Sequence, residues 1–315
     1  MVNPHHRSHL LDSSYILKSD AKKTIATFGK SFNWGRRFLQ EEVGNNAAIL
    51  YRFCRILDDI ADSYGADSRQ LLKKIKDEIN SKHHFSGEPV VAIARMLTDV
   101  IGIPKAPILD LLDGLIGDCD TVAFEEQKDV IQYSYRVAGT VGLMMTTVLR
   151  CDDAGAANHA IDLGIAMQMT NIARDVLEDA QMGRRYLPGQ WCNGLSAVAI
   201  IEAARDSRLV NEREVICEGL RKLLALSEDY YHSGLTGLSY IPFRNRIGIS
   251  VAAGIYREIG RKLIQKELNW WEGRTVVSLQ KKMSISIKMF LESVKKKSSQ
   301  MKHEEHLHIY LDEFR

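Results

Sequence analysis

The sequence predicts an all-α protein built as one domain. Its six prolines leave three long proline-free spans, at 108–187, 189–241 and 243–315, and proline is the residue that most strongly interrupts helices. Within these spans apolar residues recur at three- and four-residue steps, which is the period of a helix and not of a strand. No repeat and no low-complexity linker divides the sequence.

The period indicates eleven helices, near 20–30, 41–63, 68–82, 90–101, 106–118, 128–149, 157–181, 196–205, 212–232, 244–270 and 276–298. The second of them has apolar residues at helical steps, namely Ala48, Tyr51, Ile56 and Ile60. The last has one apolar stripe, formed by Val276, Leu279, Met283, Ile287, Phe290 and Val294. We therefore expect an N-terminal segment over 1–19, a helical domain over 20–298 and a C-terminal tail over 299–315.

Composition excludes several classes of protein. Lys and Arg number 42 against 40 Asp and Glu, a net charge of +2, whereas a nucleic-acid-binding domain normally has a strong basic excess. The longest uncharged stretch is 137–149, shorter than the roughly 20 apolar residues that a membrane span needs. The first residues have no apolar signal region, and the five scattered cysteines form no zinc or disulfide pattern. A cytoplasmic protein without a nucleic-acid partner is expected, and nothing indicates its oligomeric state.

Two groups of acidic residues have unusual spacing. Asp58 and Asp62 are one helical turn apart on the same face, with Asp59 beside them. Asn171, Asp175 and Asp179 follow at i, i+4 and i+8, a column of oxygen atoms along one helix face. Both columns lie within apolar sequence and are expected to border the core.

Carboxylates stacked in this way repel one another, by about 1 kcal/mol in water and about 4 kcal/mol near a protein surface at 4 Å. Compensating cations are therefore needed, and oxygen ligands without Cys or His favour Mg²⁺ or Mn²⁺ together with substrate phosphates. The spacing predicts a metal site for a phosphorylated ligand between two facing helices. Arg55 and Arg174 either orient that phosphate or neutralise the neighbouring acids. A single acidic face is a weak signal, because such faces are commonly just solvated.

Four blocks in order resemble the squalene/phytoene synthase family. Asp58-Asp59-Ile-Ala-Asp62 is similar to its first aspartate-rich motif, and the run from Asn171 through Asp179 to Pro188 is similar to its second. The segment 133–142, with its Tyr-Ser-Tyr start, resembles a helix between them, and Lys30-Ser31-Phe32 resembles the substrate-entry signature. The sequence is most similar to bacterial phytoene synthases.

This resemblance implies the isoprenoid synthase fold, a single-domain helical bundle around a central prenyl-binding cavity. It implies head-to-head condensation of two geranylgeranyl diphosphates, through a cyclopropylcarbinyl (prephytoene) diphosphate, to phytoene in carotenoid biosynthesis. Mg²⁺ or Mn²⁺ is implied as cofactor, and NADPH is not expected. The implied metal ligands are Asp58, Asp62, Asn171, Asp175 and Asp179. The implied catalytic residues are Asp58, Asp62, Asp175, Asp179, Tyr51 and Tyr133. The implied contacts to diphosphate or prenyl chain are Ser31, Phe32, Arg55, Gln168, Asn171, Arg174, Tyr256 and Arg274.

The length of the substrate depends on the bulk at the closed end of the cavity. Ala48 lies three residues before Tyr51, on the same helical side, and offers almost no bulk, so we expect a long tunnel for a C20 chain. A C30 enzyme of the same family, using two farnesyl diphosphates to make squalene, dehydrosqualene or presqualene diphosphate, is the alternative. A non-catalytic scaffold protein of this fold is a further alternative.

Two other features have double interpretations. Gly139 and Gly142 interrupt a helix either for close packing or to open a channel for the prenyl chain, and we favour the channel. Seven lysines against one acid between Lys281 and Lys302 accompany the apolar stripe at 276–294. This combination predicts either peripheral binding to an anionic membrane or a core helix followed by a solvated tail.

Overall fold

Helices provide the regular structure of this computed structural model, which describes residues 17–63, 66–81, 88–295 and 303–314. Among these residues the backbone forms a single isolated bridge, between Ala123 and Arg185, and no strand. The predicted all-α class is confirmed. The described residues contain no helix that is both long and apolar enough to cross a bilayer.

Thirteen α-helices follow one another along the described chain. They are α1 (17–28), α2 (Lys30–Arg36), α3 (Glu41–Asp62), α4 (Ala66–Asn80), α5 (Pro89–Arg95), α6 (Lys105–Asp118), α7 (Gln127–Ser134), α8 (Thr140–Val148), α9 (Ala156–Gln181), α10 (Ala197–Arg205), α11 (Val210–Thr236), α12 (Phe243–Gln265) and α13 (Leu279–Lys295). One-turn π-helices continue α5 and join α7 to α8, at Met96–Val100 and Tyr135–Gly139.

Two predicted helices end earlier in the structure than expected. The helix expected at 20–30 ends at residue 28 and is followed by α2, which was not predicted. The two are separated at Gly29, where a Cβ would lie 2.7 Å from the ring of Tyr51. The helix expected at 244–270 ends at Gln265, because Glu267 and Leu268 have positive φ angles of 55° and 58°, which a helix cannot contain.

The buried apolar residues form two hydrophobic cores. One core joins α7, α9, α10, α11 and α12, and the other joins α1, α3, α4, α5, α6 and α8. A cavity lies between them, since its wall includes Leu50 from one core and Leu163 from the other. The two-core arrangement therefore positions the cavity along α3 and α9.

The C-terminal residues 303–314, here called the strap, pack against the domain. Leu307, His308 and Leu311 are buried, and the hydroxyl of Tyr230 on α11 donates a 2.7 Å hydrogen bond to the carbonyl oxygen of Leu307. These contacts place residues 303–314 against the helical domain, whereas the sequence predicts a tail over 299–315. At the other end, α1 begins at residue 17, within the segment predicted at 1–19, whose first sixteen residues lie outside the described part.

The last helix, α13, presents its predicted apolar stripe to solvent. The exposed fractions of Leu279, Met283, Ile287 and Phe290 lie between 48% and 61%. The opposite face contacts the protein, where Ile285 is buried and Ser286 accepts a hydrogen bond from the indole nitrogen of Trp34. The side chain of Val294 lies outside the described residues.

Candidate active site

The cavity between the two cores is long, mostly apolar and about 300 Å³ in volume. On α3 its wall is formed by residues at helical steps, from Ala47 through Tyr51 to Asp58. On α9 the wall runs from Ala156 to Asn171, a distance of about 22 Å at about 1.5 Å per residue. An elongated apolar chain with one polar head would fit a cavity of this shape.

Three polar side chains mark one end of the cavity. They are Asp58 on α3 and Gln168 and Asn171 on α9. The amide nitrogen of Asn171 donates a 3.2 Å hydrogen bond to the Gln168 side-chain oxygen, which fixes the direction of both amides. The Asn171 Oδ1 atom is buried and has no hydrogen-bond partner among the described residues. An unsatisfied buried oxygen at this position is a ready ligand for a cation.

The carboxylates at this end carry poorly compensated charge. Burial raises the pKa of Asp58 from 3.8 to about 7, and repulsion by Asp62 adds to the effect. Burial also raises the pKa of Asp179 well above its ordinary value, with Asp175 as the next cause. Carboxyl groups with raised pKa values gain most from a bound cation, which would favour their ionised form. The acidic end therefore fits a hard divalent cation in both donor chemistry and charge.

Arg184 links the two acidic columns. It follows α9 and forms a 2.8 Å ion pair with Asp62 on α3, while its own side chain is 6% exposed. It also donates hydrogen bonds to the carbonyl oxygens of Ala61 and Asp118, at 3.4 and 3.1 Å. The sequence gives Arg184 only as the continuation of the second motif, and its pairing with the first motif was not predicted.

Asp118, at the end of α6, is a second residue that sequence reasoning missed. The residue is 4% exposed. Its carboxylate accepts 2.8 Å hydrogen bonds from the hydroxyl groups of Tyr133 and Tyr186. The two phenol rings are stacked with centroids 4.6 Å apart. Burial raises the pKa of Asp118 to about 6, although both phenols lower it. Asp118 lies too far from either motif in sequence for spacing to indicate it.

Two arginines cover Asp175. Arg174 Nε and Nη2 lie 2.7 and 2.5 Å from its carboxylate oxygens, and Arg274 Nε and Nη2 each lie 3.1 Å from it. The guanidinium groups predicted to bind diphosphate are therefore together at the acidic end. Arg55 instead pairs with Asp59 at 2.5 Å on the exposed side of α3.

The rings of Phe32 and Tyr51 line the cavity next to the acidic end, and the ring of Tyr256 packs against Phe32. Phe32 on α2 lies between Tyr51 and Tyr256, with ring centroids 6.0 and 4.8 Å away. Burial raises the pKa of Tyr256 to about 12, and it raises the pKa of Tyr51 as well. Both phenols therefore stay neutral at physiological pH.

Several predicted site residues, among them Ala48, Tyr133 and Ser31, are not part of the cavity wall in the described structure. Ala48 does not border the cavity, contrary to the prediction: it is fully buried in the core around α3, and Ala47 takes the expected place. The prediction is wrong by one residue in register, because Tyr51 shares its cavity face with Ala47 at i−4. Tyr133 contacts Asp118 instead of the cavity, and Ser31 lies on α2 beside Phe32 without lining the cavity.

Gly142 allows close packing of two helices and also lines the cavity. A Cβ at Gly142 would lie 2.1 Å from the carbonyl oxygen of Ala160 on α9, so no larger residue fits. Gly142 also lines the cavity, and the π-helix at Tyr135–Gly139 interrupts the helix just before it. Gly139 contacts Tyr135 and Ile161 and is absent from the cavity wall among the described residues. The channel interpretation thus applies to Gly142 but not to Gly139.

Comparison with known proteins places these features in a family. The model of the squalene/phytoene synthase family matches residues 25–281. The chain is 30% identical to 15-cis-phytoene synthase from Pantoea ananas over 85% of this chain and 89% of that protein. It is 33% identical to 15-cis-phytoene synthase from a Paracoccus species, over 76% and 80% of the two chains. A crystal structure of a dehydrosqualene synthase in complex with ligand superposes with a TM-score of 0.75 and 28% identity, covering 90% of this chain and 99% of that one.

Proposed function

The chain belongs to the squalene/phytoene synthase family, and we propose that it condenses two geranylgeranyl diphosphates head to head to phytoene, for carotenoid biosynthesis. It is a prenyltransferase with the isoprenoid synthase fold. The observation that carries the proposal is the cavity, whose wall on α9 extends about 22 Å from the acidic end at Asn171 to Ala156. A prenyl chain fits the apolar length, and its diphosphate fits the acidic and basic groups at one end.

The acidic end would hold Mg²⁺ or Mn²⁺ through oxygen ligands. The unsatisfied Oδ1 of Asn171 and the raised pKa values of Asp58 and Asp179 support this assignment. Asp62 and Asp175 complete the proposed ligand set. A bound cation supplies Lewis-acid stabilisation for the charge that develops on the departing diphosphate.

Arg174 and Arg274 would bind the diphosphate oxygens. Both guanidinium groups contact Asp175 in this structure, and a diphosphate presents the same kind of bidentate acceptor with more charge. We propose that the arginines share their hydrogen bonds between Asp175 and the diphosphate when substrate binds. Arg55 contributes positive charge from the neighbouring turn of α3.

Loss of the first diphosphate leaves an allylic cation, which the double bond of the second substrate attacks. Loss of a proton then gives the cyclopropylcarbinyl diphosphate. A second ionisation, rearrangement and proton loss give the linear polyene, so two diphosphates and two protons are released in total. The rings of Phe32, Tyr51 and Tyr256 would stabilise the cation by cation–π interaction, and the neutral phenols present no anionic nucleophile to capture it. The departing diphosphate accepts the proton, so the reaction needs no separate basic side chain.

A C30 enzyme is the alternative within this family. It would use the same acidic end with two farnesyl diphosphates, and the likeness to a dehydrosqualene synthase structure favours keeping it as the competing candidate. Each additional buried CH₂ contributes about 0.8 kcal/mol of binding free energy, so a cavity that fits the longer chain prefers it. The long cavity therefore favours the C20 substrate.

Mass spectrometry of the hydrocarbon separates these candidates. Purified protein is incubated with C15 or C20 diphosphate, with Mg²⁺ or EDTA, and with or without NADPH. We expect a C40 product from the C20 substrate that requires Mg²⁺ and not NADPH. A C30 product alone would establish the alternative, and no product from either substrate would establish a non-catalytic role.

We further propose that α13 binds an anionic membrane surface. Its solvent-facing stripe is apolar, with Ile287 exposed by 61% and Leu279 by 61%. Lys282, at the edge of this stripe, faces the same groove as Lys30 on α2 and Arg37, the residue that follows α2. An apolar face flanked by bases is the pattern of a helix that lies in the membrane interface. Such a position would deliver a hydrophobic product directly to lipid.

A further inference from the structure

His159 is a polar residue at the end of the cavity opposite to the carboxylates. It lies on α9, twelve residues before Asn171 and therefore about 18 Å along the helix from it. The residue is 2% exposed and contributes to the cavity wall. Burial of an imidazole in apolar surroundings is unfavourable unless hydrogen bonds compensate it, so its position requires a structural explanation.

Neighbouring groups fix His159 from several sides. Its Nδ1 lies 2.9 Å from the carbonyl oxygen of Ser233, which only accepts, so the ring carries its proton on Nδ1. The ring of Tyr240 stacks on it with centroids 5.8 Å apart. Gly237 packs against its base, where a Cβ would lie 2.1 Å from the His159 Cβ. The ring of His303, from the strap, meets it edge-on at 5.3 Å.

A buried carboxylate connects this wall to the strap. Asp162, which is fully buried, accepts a 2.5 Å hydrogen bond from the hydroxyl of Ser233. Nε2 of His303 lies 2.8 Å from one of its oxygens, and Nε2 of His308 lies 2.6 Å from the other. Burial opposes ionisation of Asp162, but the hydrogen bonds from the two histidines outweigh it and hold its pKa below the ordinary value. The strap is thus tied to α9 by a charged acceptor directly behind His159.

The strap has further anchors on the domain. Leu307 and Leu311 are buried at 5% and 1% exposure, and the ring of Phe314 stacks on Tyr135 at 5.3 Å. The family match ends at residue 281, so the family assignment does not describe the strap or its contacts.

We propose that the strap, through His303 and Asp162, fixes His159 as the far wall of the cavity, and that this wall limits the length of the prenyl chain. The inference rests on the proposed function, since it takes the cavity as the prenyl-binding site. A chain that reaches from the acidic end fills the cavity as far as the imidazole, and a longer chain collides with it. His159 is then a specificity-determining residue, and His303 is a positioning residue that acts through it.

The ratio of kcat/KM for geranylfarnesyl diphosphate (C25) to that for geranylgeranyl diphosphate (C20) tests this proposal. His159→Ala should raise the ratio at least about tenfold, because each CH₂ that becomes buried contributes a factor of about four. His303→Ala should shift the ratio in the same direction by a smaller factor. His306→Ala is the matched control, since that strap histidine has a side chain 71% exposed, and it should leave the ratio unchanged.

His159→Asn provides a second variant in case the alanine variant does not fold, because Asn keeps an N–H donor for the Ser233 carbonyl and is smaller than His. An unchanged ratio in a His159 variant that retains the wild-type melting temperature would overturn the proposal. This failure is distinct from failure of the proposed function, in which the wild-type protein itself would form no product from the C20 substrate. If the wild-type protein accepts C15 alone, the C20 to C15 ratio tests the wall in the same way.

Discussion

Arg184 pairs with Asp62 at 2.8 Å across a separation of 122 residues. The second aspartate-rich motif thereby supplies a cation to the first. The pair also sets the spacing between the C-terminal ends of α3 and α9, where both acidic columns lie. The two motifs therefore form one electrostatic unit and not two separate sites.

Replacement of Arg184 should damage both stability and activity. In Arg184→Met the carbonyl oxygens of Ala61 and Asp118 lose a donor, which costs about 1–3 kcal/mol of unfolding free energy. We assign little of this loss to the ion pair itself, because the Asp62 side chain is 44% exposed and screened by solvent. Urea unfolding measures the change. Arg208→Met, at a side chain 88% exposed, should have no effect, and equal stability of the two variants would contradict the assignment.

Asp58→Asn should remove the loss of folding stability that the metal-free protein suffers when Asp58 ionises. Because burial raises the pKa of Asp58 from 3.8 to about 7, the stability linked to its bound proton is complete below pH 3.8 and is lost as the pH rises through about 7. Asn has no proton to lose, so the melting temperature of the variant should rise relative to wild type as the pH is raised from 4 to 8 in EDTA. Its activity should fall by at least about 100-fold, as for other groups that stabilise a developing charge.

Asp59→Asn is the control for this experiment. The side chain of Asp59 is 52% exposed and faces Arg55. Because exposed ion pairs contribute little to stability, the melting temperature of Asp59→Asn should stay close to that of the wild-type protein. If the melting temperature of the Asp58→Asn variant follows the same pH profile as that of the wild-type protein, burial does not disfavour the ionised form of Asp58.

Bulk on the cavity face of α3 should shorten the product. Ala47→Phe places a ring in the cavity, so we expect a lower ratio of C40 to C30 product when both substrates are supplied, with unchanged stability. Ala48→Phe instead overpacks a fully buried position and should lower the unfolding free energy by about 1–3 kcal/mol. Product analysis and thermal unfolding of both variants check the register. A shortened product from Ala48→Phe but not from Ala47→Phe would contradict it.

Tyr133→Phe should lower kcat strongly and the free energy of unfolding only slightly. The variant keeps the ring stack on Tyr186 and loses one hydrogen bond to Asp118, worth about 0.5–1.5 kcal/mol of stability. If Tyr133 takes part in catalysis at the acidic end, kcat falls by about 100-fold. Tyr186→Phe removes the other hydrogen bond to the same carboxylate. Equal kcat values for the two variants would reduce Tyr133 to a structural role.

Membrane binding should depend on the apolar stripe of α13. Ile287→Glu places a charge at a position 61% exposed, and we expect at least tenfold less co-sedimentation with vesicles that contain anionic lipid, since a buried charge at the interface is unfavourable. Val198→Glu, at a position 62% exposed on α10, is the control and should bind as the wild-type protein does. Equal binding of both variants would exclude α13 as the contact.

The helical class and the acidic columns could be predicted because they depend on local spacing. Asp58 and Asn171 face the same cavity as their helical periods require. The register error at Ala48 arises because spacing alone does not separate two neighbouring positions. The i−3 and i−4 positions share a helical side, and only packing in the core around α3 decides which of them borders the cavity. Period alone does not contain that information.

Residues that act through distant contacts could not be predicted. Asp118 ends a largely apolar helix away from both motifs, and only the fold brings it against Tyr133 and Tyr186. The strap gave the same difficulty, because its histidines resemble a polar tail until Asp162 is placed beside them. The local composition of the strap therefore predicted exposure to solvent, whereas the structure buries several of its residues.

Calorimetric titration of pyrophosphate into the purified chain tests the central claim most directly. The claim is that the two acidic columns hold a divalent cation which in turn binds the diphosphate. We predict binding in the presence of Mg²⁺, no binding in EDTA, and loss of the Mg²⁺-dependent signal in Asp58→Asn. Binding of equal strength with and without Mg²⁺, or no binding under either condition, would contradict the account.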